Sequence, residues 1–225
     1  MHFNHTENQM RSPISVFALL ALLLIAIPQN AHAQQFGILG GANFAGITGD
    51  DADDDTQNTT GLMAGVFARM GLGEIITFQP EVQFSQKGAE SEGTLGDTFV
   101  KLQYIDVPLF LSFGFPNSFH AMVGPNFAFE IGCDIEFDPK TAGEEVSSDC
   151  DDDDDDFETR KDFVAGATAG VGIDFPLGGI NLFIDGRFNM DLESFHDNPD
   201  EDEDDLDFKN RVIQLVGGIR FGGIM

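Results

Sequence analysis

The chain has no tryptophan, one tyrosine and two cysteines in 225 residues, and only 11 Lys and Arg against 39 Asp and Glu. The shortage of positive charge excludes a nucleic-acid partner, because a surface of formal charge −28 repels a phosphate backbone. No CxxC, P-loop or GxGxxG leading into a helix occurs, which removes the common zinc, nucleotide and dinucleotide chemistries. Beyond the first 33 residues every apolar run is broken by Gly, Pro or a charge within a few positions, so no transmembrane helix is expected there. What is abundant instead is Phe (23) and Gly (26), a combination that points to many short strands rather than to an ordinary globular enzyme.

The N-terminus carries an apolar run from Ile14 to Ile27, then Pro28 and the small-residue pattern Ala31-His32-Ala33. Spanning a bilayer as a helix takes about 20 apolar residues, more than this run supplies. The expectation is a Sec signal peptide, residues 1–33, cut after Ala33, leaving one domain over 34–225. Met10-Arg11 makes a more ordinary start than Met1, because the long leader before the apolar run has Arg11 as its only formal cation.

Eight segments of the mature chain have strand character: 36–46, 61–71, 75–87, 99–113, 119–133, 163–175, 180–194 and 209–221. The connections at 72–74, 114–118 and 176–179 are tight, while the other four are long and hold almost all of the acidity, including "DDADDD", "ESEGTLGD", "CDDDDDDFE" and "DNPDEDEDDLD". In an up-and-down barrel alternate connections share a side, so the acidity would crown one rim. A soluble sandwich gives no reason for acidity to follow loop parity.

Within the strands two rows alternate. One is apolar, as in Phe78-Pro80-Val82-Phe84, Ile105-Val107-Leu109-Leu111 and Val123-Phe127-Phe129-Ile131; the other carries Gln, Glu, Asn, Asp, Arg and most of the glycines. Small residues on the polar side suit a narrow, crowded lumen, so the apolar row is assigned to lipid. The fold class is therefore an all-β, eight-stranded antiparallel up-and-down transmembrane β-barrel with long acidic extracellular loops and short periplasmic turns; a soluble exported β-sandwich that binds a ligand is the alternative. Arg69, Glu81, Asp106, Glu130, Asp185, Arg187 and Arg220 are expected to meet in the lumen as an interlocked polar network, because unpaired charge there is costly. Pro80, Pro108 and Pro125 each remove a ladder donor and are expected to mark bulges or bends.

The motifs "FGILGGANFAG", "FQPEVQFSQKG", "LQYIDVPLFLSF" and "MVGPNFAF", in that order, resemble the PorT-like outer-membrane β-barrel family of Bacteroidota. The residues that carry the resemblance are Gly40, Gly41 and Asn43; Gln79, Pro80 and Glu81; Ser85 to Gly88; Tyr104, Ile105 and Pro108; and Gly124 with Pro125. It covers essentially the whole mature chain and implies a small outer-membrane barrel, surrounded by outer-membrane lipid and inserted by the assembly machinery; any envelope protein partner is unknown. It does not imply a shared activity. The chain departs from the pattern in its very acidic loops and in running on as "GGIM" past Phe221.

Little in the sequence supports catalysis. Only His120 and His196 survive leader removal, and neither has a nearby Ser and supporting acid at suitable spacing, so a lipid-modifying barrel enzyme is the weakest reading. Cys133 and Cys150, an even pair in an exported chain, are expected to form a disulfide worth about 3 kcal/mol by loop entropy, although unbroken strand parity would turn Cys133 toward lipid. No cofactor is expected beyond loose Ca²⁺ or Mg²⁺ association at Asp50, Asp51, Asp53, Asp54 and Asp55, at Asp151, Asp152, Asp153 and Asp154, and at Asp200, Asp202 and Asp204. No Asp run has EF-hand spacing, and blocks of like charge are otherwise solvated, self-repelling segments. If the barrel assignment is right, the mature protein produced without its leader will form a monodisperse β-rich species only in detergent or lipid. A monodisperse β-rich species in plain buffer by circular dichroism and size exclusion would sink it.

Overall fold

A computed structural model describes residues 35–48, 57–92, 96–115, 118–139, 146–149, 163–192 and 209–222. They form nine strands: β1 (Gln35–Thr48), β2 (Gln57–Gly71), β3 (Ile76–Glu92), β4 (Gly96–Gly114), β5 (Phe119–Pro139), β6 (Val146–Asp149), β7 (Phe163–Leu177), β8 (Ile180–Asp191) and β9 (Lys209–Phe221). Eight of them close a ring in which each strand pairs antiparallel with its sequence neighbour and β1 pairs with β9, while the short β6 only extends the sheet beside the far end of β5. Closure is what a strand protein needs in hydrocarbon, where an open edge would leave a row of unpaired N–H and C=O groups.

Burial follows the period of two. On β3, Gln79, Glu81, Gln83, Ser85 and Lys87 are buried, and on β8 so are Asp185, Arg187, Asn189 and Asp191, while Val66, Val123, Val171, Ile184, Ile213 and Leu215 lie exposed on the outer wall. The interior is thus more polar than the exterior, the inverse of a soluble sandwich, and the sandwich alternative is overturned. Inward glycines make room for this filling. A Cβ on Gly37 would stand 2.2 Å from the Phe67 ring and one on Gly218 2.3 Å from the Phe183 ring, and those two rings meet edge to face at 5.5 Å.

Two expectations about irregularity are corrected. The register runs past all three prolines unshifted, with Pro80 opposite Leu109, Pro108 opposite Asn126 and Pro125 opposite Ala167, because a proline removes a donor without adding a residue. The break in β5 falls higher, where Gln103 faces Gly132 and Tyr104 faces Glu130, leaving Ile131 as the extra residue of a bulge. Above that bulge the parity of β5 inverts. Cys133 consequently lies buried inside, opposite Leu102, and not on the lipid side where unbroken alternation would put it.

Strand lengths are also unequal. β3, β4 and β5 run 17, 19 and 21 residues against 12 for β8, whereas about 9–11 residues suffice to cross a bilayer. The acidic stretch expected as a long β3–β4 loop is therefore mostly strand, with three residues between Glu92 and Gly96. The short turns stand as expected, at 72–75, 115–118 and Gly178-Gly179, where Gly178 takes φ 70°.

The outer wall gives a direct check. Val171, 66 % exposed, sits in the middle of β7. Replacing it with Arg will cost about 2–4 kcal/mol in urea unfolding from phospholipid vesicles, as charges at the hydrocarbon midplane do. A neutral result would mean this wall does not face lipid.

Candidate functional site

The chemistry-bearing side chains converge in the lumen, and Arg187 is their hub. From β8 its guanidinium donates to both Glu81 carboxylate oxygens on β3, at 2.7 and 3.2 Å, and to Asp185 Oδ2 at 2.8 and 3.2 Å. The side chains of Arg187 and Glu81 are fully buried, and the Phe110 ring lies 5.1 Å from Arg187 Cζ. Glu81 also accepts from Gln79 Nε2 at 2.7 Å and from Gln83 Nε2. A buried ion pair is tolerable only when its remaining lone pairs are bonded, and the two flanking glutamines supply that.

Toward the short-turn end the chain of contacts continues. His120 Nε2 lies 3.0 Å from Asp185 Oδ1 and its Nδ1 3.4 Å from Asp174 Oδ2; Asp174 Oδ1 in turn lies 3.0 Å from Arg220 NH1. The space is created by Gly172, where a Cβ would come within 2.1 Å of Asp185 Oδ1 and 2.6 Å of His120 Nε2. Arg69 stands at the same end and donates through Nε to Thr77 Oγ1 at 2.9 Å.

Toward the long-connection end a second cluster is tied by Asn43. Its Nδ2 reaches across β2 to Ser85 Oγ and the Gln86 carbonyl on β3, each at 2.9 Å, and its Oδ1 accepts from Gln214 Nε2 on β9 at 3.0 Å. The crossing needs Gly61, since a Cβ there would lie 2.3 Å from the Gln86 oxygen. Next along β3, Lys87 pairs with Asp106 at 3.1 Å and lies over the Tyr104 ring at 4.5 Å. Gly88 follows at φ 150°, with the Val100 oxygen 1.9 Å from where its Cβ would be, so no other residue fits there. Beside and above it Leu102, Tyr104, Ala128, Cys133 and Val164, joined by Val100 and Ile135, pack as an apolar cluster.

Of the seven charges expected to interlock, Glu81 and Asp185 both accept from Arg187, and Asp106 pairs with Lys87. Arg220 pairs with Asp174, and Glu130 is half-buried and accepts from Tyr104 OH at 3.4 Å. Arg69 shares the short-turn end with Arg220 and Asp174 and donates to Thr77 Oγ1. Lys87, His120, Asp174 and Asp191 were not in the expected set, yet all four lie on the polar row by simple alternation, so parity alone was enough to find them. No described cysteine is free; Cys150 and the Asp runs at Asp50–Asp55, Asp151–Asp154 and Asp200–Asp204 lie outside the described residues, as do His196 and the 1–33 leader.

The two nitrogens of His120 face carboxylates, and its described polar contacts include no serine. The hub makes a sharper claim about stability. Arg187→Met leaves two buried carboxylates without their cation and will cost about 3–5 kcal/mol in vesicle unfolding, whereas the triple change with Glu81→Gln and Asp185→Asn will recover most of it. A single change that costs under about 1 kcal/mol would show that the pair is not desolvated as its geometry implies.

Among solved structures, the chain is similar to Neisserial surface protein A (14 % identity, 84 % of this chain and 97 % of that one, TM-score 0.44). It is also similar to Ail of Yersinia pestis crystallised with the heparin analogue sucrose octasulfate (18 %, 84 % and 99 %, 0.43) and to OprG of Pseudomonas aeruginosa (11 %, 87 % and 98 %, 0.42). Comparison with curated proteins yields no match. Residues 28–197 match the profile of the outer membrane protein β-barrel domain, which agrees with a closed ring whose apolar rows face outward. The chain belongs to that family, a bacterial outer-membrane barrel.

Proposed function

We propose that the protein is a closed, non-conducting barrel of structural or interaction type that acts through the surface it presents at its long-connection end, and not through its lumen. The observation that carries this reading is the fully buried Arg187 bonded to two carboxylates across the bore, with an apolar cluster further toward the long-connection end. It is read as a non-enzyme, since both nitrogens of its one described histidine, His120, lie against carboxylates. The finer PorT-like kinship is part of the same reading. Its support is that the motif residues Asn43, Ser85 and Gln86 bond to one another while Lys87, next along β3, meets Asp106 and the Tyr104 ring, and a shared packing solution is what a family motif records.

The remaining parts of the proposal concern biogenesis and the loops. The leader is cut after Ala33, the assembly machinery inserts the barrel, and the acidic connections lie outside the cell and associate with divalent cations. Cys133 pairs with Cys150: β5 and β6 set Asp134 opposite Asp149, and each cysteine is the chain neighbour of one of these two residues. Such a bridge would staple the third long connection at its base.

Two measurements test the reading. Purified protein in a planar lipid bilayer will show no resolvable channel steps, and stable ohmic steps would remove the closed-barrel proposal. Hydrogen exchange over 50–60, 134–162 and 196–207 will slow in millimolar Ca²⁺ or Mg²⁺ at matched ionic strength, with the strands unchanged, because self-repelling carboxylates inside one Debye length, about 8 Å, order when cations bridge them. Equal exchange with and without divalent ions would leave the loops as solvated surface only.

A further inference from the structure

Sorting the lumen charges by height separates two unlike halves. In the lower half Glu81, Asp174 and Asp185 face Arg69, Arg187, Arg220 and the His120 imidazole, so the carboxylates there do not outnumber their cationic partners. In the upper half Asp106 and Asp191, both buried, have one described cation between them, Lys87, while the half-buried Glu130 accepts from Tyr104 OH and is partnered in its own right. Among the described residues that leaves one buried negative charge over. Removing such a charge from water without a counter-charge is among the most expensive things a fold can do.

The unpaired atoms of that space are of one kind. Asp106 Oδ2, Asn189 Oδ1 and Asn210 Oδ1 have no hydrogen-bond partner among the described residues, and their side chains are almost wholly buried. All three are acceptors, whereas the unpaired nitrogens and hydroxyl of the described lumen, on His120, Arg220 and Ser112, belong to the lower half. Gly166 shows where the acceptors point. The position its missing Cβ would take lies 3.3 Å from Asp191 Oδ1 and 3.4 Å from Asn189 Oδ1, so two oxygens of β8 converge on the room that this glycine leaves. Asp191 is itself held in place by Asn210 Nδ2 at 2.8 Å.

We propose that the upper lumen binds one hard monovalent cation, sodium by its charge and oxygen preference, between Asp191 and Asn189 beside Gly166, with Asp106 and Asn210 completing its polar surroundings. A monovalent ion matches an excess of one charge, and carboxylate and amide oxygens without nitrogen or sulfur ligands suit a hard ion. A water molecule would satisfy the acceptors and leave the charge. A proton on Asp191 would answer the charge and one acceptor only. The site is separate from the loop carboxylates and does not depend on the structural reading of the barrel.

The test is thermal unfolding of the mature barrel in detergent with divalent ions chelated, in sodium chloride and choline chloride at equal ionic strength and pH. Sodium will raise the melting temperature by several degrees over choline and will saturate. Asn189→Ala, which removes an oxygen that has no partner to lose, and Asp191→Asn will each abolish the difference. A variant with Asp151–Asp156 changed to Asn will keep it. Equal melting in the two salts, a sodium effect that persists in Asn189→Ala, or one lost with the loop carboxylates would each overturn the site. A melting temperature that rises with falling pH and ignores sodium would replace the cation with a proton.

Discussion

Hydrocarbon offers no partner to a backbone N–H or C=O, and the rest of this structure follows from that one constraint. Strands that cross the membrane must close on themselves, and eight strands close to a bore only wide enough for side chains. The interior is then a place where every polar group must find a partner within reach. Arg187 shows the consequence: its guanidinium meets three carboxylate oxygens on β3 and β8, and the glutamines beside Glu81 occupy the lone pairs that remain. Such a pair adds little net stability over a hydrophobic equivalent, but it allows only one register between the strands that supply it.

Glycine is the second device that closure demands, and it works here through space. Gly61 lets Asn43 cross β2 to reach Ser85 and Gln86, and Gly172 lets His120 approach Asp185. In both places a methyl group would collide with the partner atoms, so the polar network and the glycine pattern are one feature. The resemblance motifs gain a physical meaning from this. Asn43, Ser85, Gln86 and Lys87 are far apart in sequence from Tyr104 and Asp106, yet they share one layer of the lumen.

Much of the architecture was legible because a period of two assigns each strand residue to one side. Strand order, the direction of the Phe rows and the place of Glu81, Asp185 and Arg187 all follow from it. What alternation could not supply was the point where it fails. Ile131 is an ordinary apolar residue in an apolar row, and nothing local marks it as the extra residue that turns Cys133 inward. The prolines drew attention as the visible irregularities, but each removes a single bond and leaves the count of residues intact, so the register passes through them. Partner choice inside the lumen was equally hidden, since alternation tells which side a residue faces and not which strand across the bore it meets.

The barrel is lopsided along its axis, and the cause is in the strand lengths. Turns at one end are held to a few residues, whereas at the other end β3, β4 and β5 continue well past the thickness of the hydrocarbon core. Outside lipid the lipid-facing rule lapses, and the outward row changes accordingly: on β4 it runs Phe113, Leu111, Leu109, Val107 and Ile105 within the membrane and then becomes Gln103 and Lys101, the latter paired with Glu136 at 2.5 Å. The inward row changes in the opposite sense, from Asp106 to Leu102 and Val100, which form the apolar cluster with Cys133 and Ile135. A sheet that inverts its polarity as it leaves the membrane behaves above that level as a small soluble sheet, with its core over the mouth of the lumen. That inversion places an apolar cluster inside the projecting sheet and turns its polar face outward.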